Sequence, residues 1–208
     1  MTDPTTDPTT LVAALRSRDA SAWRAVVRRH HATLVALAAA VVGNAATAEE
    51  VAQDAWLAAV GGIGGFEGSA QLSTWLCAIA LNAARTRARR DGRTVLVPSF
   101  EEEAPFDDAG RFGVDGHWTI PPMPFDDLDP ERIVGGRQLW AHASAAIERL
   151  APLQRAVLVM QDVEEIETAE ICRLLNITPQ NQRVLLHRAR TRLRAEMERL
   201  LTPAATGG

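Results

Sequence analysis

The chain has 208 residues with a formal net charge of −4, and 47% of it is apolar, the composition of a soluble folded protein of one domain or two small ones. Its two cysteines, Cys77 and Cys172, stand far apart inside apolar helical patterns, which excludes a disulfide framework and a CxxC metal site. With no signal-peptide pattern and no long uncharged apolar run, a cytoplasmic protein without membrane contact is expected.

The opening "MTDPTTDPTT" is polar and proline-bearing, so residues 1–10 are expected to be a disordered tail. From Leu11 helical spacing takes over, and Trp23, Val26, Val27, His30, Leu34, Leu37 and Val41 fall on one face. Gly43-Asn44 breaks this helix, and "TAEE" at 47–50 reads as a capping box opening the next, with Glu50 reaching back to Thr47. "GGIGG" ends that second helix, and its glycines suggest a mobile stretch. A third helix is expected from near Ser69 through Trp75, Leu76, Ile79 and Asn82 into Arg85, Arg87, Arg89 and Arg90. Residues 96–130 are acidic, rich in Pro and Gly and without period, and read as a flexible linker. Helical spacing returns from Glu131. Pro152 suits the first turn of "LQRAVLVMQDV", a short helix is expected over 169–175, and a last one runs to about 201, before a 202–208 tail. No strand signal emerges. The fold class is all-α: two small helical domains, 11–95 and 131–201, joined by the acidic linker.

The last two helices carry the clearest chemistry. Thr178 is a hydroxyl N-cap and Pro179 a first-turn proline, while Asn176 tolerates the left-handed conformation a sharp corner needs. Two helices joined so tightly form a helix-turn-helix. On the second helix Leu186, Ala189, Leu193, Met197 and Leu200 share an inner face. Gln180, Val184, His187 and Arg188 point the other way, flanked by Asn181 and Arg183. Amides, guanidinium groups and a methyl-bearing side chain are what read base edges in a major groove. Arg190, Arg192 and Arg194 suit phosphates. The acidic net charge therefore hides two basic surfaces on either side of an acidic connector, as two contacts on one polyanion require. No paired carboxylates, nucleophile–base set, phosphate loop or metal cluster emerges, so neither an enzyme nor a cofactor is expected.

The stretch "AIERLAPLQRAVLVMQDVEEIETAEICRLLNITPQNQRVLLHRARTRLR" resembles the C-terminal promoter-binding domain of bacterial sigma factors of the extracytoplasmic-function (ECF) group. "TAEEVAQDAWLAAV" followed by "FEGSAQLSTWLCAIALNAARTRARR" is similar to the N-terminal core-binding and −10-reading domain. The resemblance implies a transcription initiation factor that binds core RNA polymerase through its β′ and β subunits and directs it to promoter DNA. It places polymerase docking at Glu50, Gln53, Asp54 and Leu57. It places −10 recognition at Phe66, Ser69, Ser73, Trp75, Ile79, Asn82, Arg85, Arg87, Arg89 and Arg90. It places −35 recognition at Thr178, Gln180, Asn181, Arg183, Val184, His187, Arg188 and Arg190. "GHW…PP" and "TAEIC" resemble a subgroup paired with a small zinc-binding anti-sigma protein.

Helical spacing alone favours Trp75 and Ile79 as core residues over base contacts. Asn82, in an otherwise apolar stretch, is expected to be a buried amide in need of partners. His30 and His31 have no third ligand in view and read as packing or surface residues. Gln182 stands where the family has an apolar residue and is expected to loosen its helix, and Leu185 stands where the family often has Arg, removing a DNA contact. Two other readings remain at this point. One is a helix-turn-helix regulator independent of polymerase, and the other is a sigma mimic that sequesters an anti-sigma protein.

Overall fold

A computed structural model describes residues 8–68, 70–92 and 136–201, without the side chains of 8, 136–141 and 198–201. The expected linker, Ser69 and the 202–208 tail lie outside the described residues. Within them the chain is helical, with no strand. Helix α1 spans Pro8–Arg16, α2 Ala20–Val42, α3 Ala45–Gly62 and α4 Leu72–Arg90. Then come α5 at Gly136–Glu148, α6 at Pro152–Leu158, α7 at Thr168–Leu175 and α8 at Pro179–Leu201. A π-type turn, Val159–Val163, continues α6. Helix α1 thus begins inside the segment expected to be a tail.

Local chemistry accounts for the boundaries. Asp19 caps α2, accepting from the Ala22 amide, and Gly43 ends it in the left-handed region at φ 67°, where a side chain would be strained. The cap of α3 is one turn earlier than expected. The side chain of Asn44, not Thr47, accepts from the Thr47 amide at 3.0 Å, because Asn in extended backbone is as good a cap as Thr and stands first in the chain. Glu50 is released from capping. Helix α3 runs on through Gly61 and Gly62 into a short 3₁₀ turn, Ile63–Gly65, anchored by the buried Ile63 side chain. The glycines extend the helix instead of ending it at once. Helix α4 starts at Leu72, with Gln71 at its N-cap position.

The chain divides into two compact units, Met1–Val97 with Ala151–Ala189, and Pro98–Leu150 with Arg190–Gly208. In the second, Ala146 and Leu150 are buried and Arg149 pairs with Glu196 at 3.5 Å. In the first, α2 is the central helix, packed on α3, α4 and α6. By length and apolarity α2 could cross a membrane, but its apolar side chains form this core: Val26, Leu34, Leu37 and Val42 are all buried. One cluster joins Val26 and Leu34 to Ala55, Trp56, Phe66 and Leu76. Another draws on both ends of the chain, joining Leu37, Cys77 and Leu81 to Val157, Met160, Ile166, Ile171 and Leu174. Burying a Leu or Ile side chain contributes roughly 1.5–3 kcal/mol, so this second cluster is a substantial part of the unit's stability.

Candidate nucleic-acid and polymerase interfaces

Helix α3 buries Ala48, Val51, Ala52, Ala55, Trp56 and Ala59 against α2 and α4. The opposite side therefore presents Glu50, Gln53, Asp54 and Leu57, spaced at three and four residues, to solvent. Leu57 is 73% exposed, an apolar side chain with acidic and amide groups along one stripe. Glu50 also reaches Arg87 of α4 at 2.9 Å. That hydrogen bond first, and the charge of Asp91 next, hold the Arg87 guanidinium above its usual value. Both ends of this pair are well solvated, so it is worth little to stability. Its consequence is positional, because it ties the acidic stripe to the arginine cluster.

The expected −10 residues part company in the structure. Phe66 is buried and meets the half-buried Trp75 with ring centroids 5.2 Å apart at 46°. The Arg16 guanidinium donates to the Phe66 carbonyl, holding the start of the loop onto α1. Trp75 and Ile79 pack on the first core cluster while staying half-exposed, so each has a face in the core and a face outside. Ser73 is half-buried, with its hydroxyl 3.5 Å from Gln71 Oε1. Asn82 is exposed, which corrects the expectation of a buried amide. The buried positions around it are Ala80, Leu81 and Ala84, and a helix turning 100° per residue carries Asn82 out between them. Arg89 and Arg90 are exposed in the last turn of α4, where the helix dipole favours cations. Arg85 is half-buried and donates to the Leu174 carbonyl of α7.

The helix-turn-helix forms as the sequence dictates. Asn176 closes α7 in the left-handed region at φ 56° and ψ 48°, and the Ile177 amide bonds back to the Cys172 carbonyl at 3.1 Å. Thr178 Oγ accepts from the Asn181 amide at 3.2 Å, and Pro179 starts α8. Gln180 and Arg183 are exposed, as is Arg190 further along. Val184, His187 and Arg188 are half-buried. Asn181 is only 6% exposed, so its side chain faces inward and not along the flank expected of it.

Gln182 corrects a second expectation. It is 2% exposed and donates from Nε2 to Gln161 Oε1 at 3.0 Å, the same oxygen that accepts from Thr168 Oγ1 at 3.1 Å. A carbonyl oxygen has two lone pairs, and both are used. The amide therefore ties α8 to the π-type turn and to the start of α7, where loosening was expected. Leu185, in the place where the family often has Arg, packs half-buried against the second cluster, so its side chain serves packing.

His30 and His31, read from the sequence as packing or surface residues, have polar partners that the sequence did not show. His30 Nδ1 donates to Glu164 Oε2 at 2.7 Å, and Thr33 donates to Glu164 Oε1 at 2.6 Å. The His30 and Glu164 side chains are only 9% and 2% exposed. No pattern in the sequence announces this pair, since the partners stand 134 positions apart. His31 is set by its neighbours. Trp56 Nε1 can only donate, so His31 Nδ1 accepts at 3.2 Å and its Nε2–H donates to Glu49 at 3.0 Å. Among the described residues no group of His, Cys, Asp and Glu could hold a metal ion.

Residues 26–94 match Sigma-70 region 2, and residues 143–193 match Sigma-70, region 4. A probable RNA polymerase sigma factor of Haemophilus influenzae is 28% identical over 152 residues, covering 73% of this chain and 77% of that one. The ECF RNA polymerase sigma factor SigW of Bacillus subtilis is 26% identical over 189 residues, 91% of this chain and 96% of its own. SigG of Mycobacterium tuberculosis is 34% identical over 74% of this chain, which spans 42% of SigG. The solved sigma factor RpoE of Bartonella quintana, in complex with the anti-sigma factor NepR, is 20% identical with a TM-score of 0.46, over 84% of this chain and 96% of that one.

The chain belongs to the sigma-70 family, in its extracytoplasmic-function group. It is a transcription initiation factor and not an enzyme, and it binds core RNA polymerase and directs it to promoters.

Proposed function

We propose that the stripe Glu50, Gln53, Asp54 and Leu57 docks on a coiled coil of the polymerase β′ subunit, with β as a second contact. The observation that carries this reading is Leu57, 73% exposed on a helix whose other face is wholly core. Nothing in the fold of the unit requires an apolar residue there, while a docking surface does. The loop after α3 and the outer side of α4 read and open the −10 element. An extruded base costs a few kcal/mol and needs a shaped pocket, a task assigned to Phe66, Ser69, Ser73, Trp75, Ile79 and Asn82. Arg85, Arg87, Arg89 and Arg90 follow phosphates, a term that falls steeply with salt. Thr178, Gln180, Asn181, Arg183, Val184, His187, Arg188 and Arg190 form the −35 side. Of these, exposed Gln180 and Arg183 reach base edges, and Asn181, turned inward, acts by seating the helix.

Residues 11–95 and 131–201 are the two working domains, and 96–130 connects them. Regulation comes from an anti-sigma protein, by analogy with the RpoE–NepR complex, here a small zinc-binding one, and the protein works in the cytoplasm. Transcription in vitro tests the whole reading: purified chain with core polymerase on pooled genomic fragments, with RNA 5′ ends mapped. New start sites sharing upstream −10 and −35 motifs are the expected result, and Leu57→Glu is expected to abolish them. Polymerase that fails to bind the chain would sink the proposal.

A further inference from the structure

The first turns of α8 carry the exposed Gln180 and Arg183, and between them the buried Gln182. Its Nε2 donates to Gln161 Oε1 at 3.0 Å, and the same oxygen accepts from Thr168 Oγ1 at 3.1 Å. Gln161 is itself firmly based. It stands at the middle of the π-type turn Val159–Val163. Beside it Met160 is fully buried in the second cluster, and the Met160 carbonyl accepts from the Ile166 amide at 2.9 Å. Turns of this kind are frequent at functional sites, and here one amide oxygen gathers donors from both helices of the helix-turn-helix. We propose, resting on the −35 reading above, that Gln161 acting through Gln182 is a positioning residue for −35 recognition. The amide pair fixes the rotation of α8 about its own axis, and so sets which base pairs Gln180 and Arg183 accept.

An apolar contact is non-directional, so a helix seated on apolar side chains alone turns and slides at little cost. A hydrogen bond between two amides has a set length and prefers an angle above about 150°, so it resists both movements. A helix with its side chains is about 10–12 Å across, so turning it by about 10° moves a side-chain tip by about 1 Å. A bidentate contact to a base edge is weakened by such a shift, because its two hydrogen bonds must be met together. Contacts to phosphate carry no base pattern and tolerate it. Losing the amide pair therefore costs discrimination between bases far more than attachment to DNA.

The test uses the full chain with core polymerase, on a promoter mapped by the transcription experiment above and on templates in which each −35 base pair is replaced singly. The readout is the ratio of transcript from the mapped template to transcript from each altered one, taken beside the thermal midpoint. Gln182→Leu leaves Gln161 its bond from Thr168. It is expected to keep the midpoint near the parent's and to lower the ratio by about 10-fold at the positions α8 reads, within the range that one base contact supplies. Gln161→Leu with Gln182→Leu exchanges both amides for apolar groups of similar size, which is often near neutral for stability, and is expected to lose the ratio equally. Gln161→Glu keeps acceptor oxygens for both donors and is expected to retain the parent's ratio.

If Gln182→Leu melts early, the double variant takes its place. A uniform drop on every template overturns the positioning role and leaves the amides as packing, and so does a ratio that Gln161→Glu loses as fully as Gln182→Leu. A discriminating parent with equally discriminating variants overturns the positioning role alone. A parent that transcribes every altered template as well as the mapped one overturns the −35 reading, and the positioning role with it.

Discussion

Helices α4 and α8 are both rich in arginine, and sequence alone gives them the same role. Their structural settings differ. On α4 the protein itself engages two of the four arginines in the cluster, Arg85 at the Leu174 carbonyl and Arg87 at Glu50 and Asp91. At the start of α8, Gln180 and Arg183 stand in solvent while the neighbouring amides Asn181 and Gln182 turn inward. A basic helix is thus a mixture of side chains that hold the fold and side chains offered to a partner. Charge counting cannot separate them, because one guanidinium satisfies a helix end or a phosphate with the same donors.

Substitutions at the two helices should break or sharpen this contrast. Arg183→Ala is expected to weaken binding to its −35 site by about 1–3 kcal/mol, roughly 5- to 150-fold, if it makes a bidentate base contact, with an unchanged thermal midpoint. Arg85→Ala should do the reverse in proportion, lowering the midpoint as the Leu174 carbonyl loses a charged donor worth about 1.5–3 kcal/mol. Binding titrations and thermal melts on both variants decide the matter, and equal effects on melting would erase the distinction.

A finer prediction concerns what seats α8. Gln161→Leu strands the buried Gln182 amide and the Thr168 hydroxyl together, and should destabilise by about 1–3 kcal/mol. Gln182→Leu leaves Gln161 its bond from Thr168 and should change stability by less than about 1 kcal/mol, since replacing a buried polar group by an apolar one of similar size is often near neutral. Denaturant titration of the two variants would show the order, and a reversed order would mean that Gln182 and not Gln161 is the hub. The smallest effect belongs to Glu50→Gln. The Glu50–Arg87 pair is solvated and contributes little to stability, so a visible change in polymerase binding with an unmoved melting curve would assign Glu50 to docking.

Much of the fold was legible because its causes are local. Thr178 before Pro179, Asn176 at the corner, Gly43 after α2 and Pro152 opening α6 act within one helical turn, and the structure uses each of them. The α3 stripe came from the family resemblance and not from the period, and the structure sets its four residues on one exposed face. Boundaries shifted where two good caps compete within a turn, as Asn44 and Thr47 do. The inward or outward setting of single residues was missed at Asn82, Asn181 and Gln182, since their direction depends on what lies opposite.

By itself, then, the sequence determined the helices, their corners, the sorting of charge into blocks and the family. Only the tertiary structure decided that Glu164 lies against His30 and Thr33, that Gln161 gathers Gln182 and Thr168, and that Leu174 ends beside Arg85. Those pairings join residues up to 134 positions apart. Periodicity carries information over a few turns of helix and no further, so which face meets which is settled by packing and by the need of every buried charge and amide for a partner.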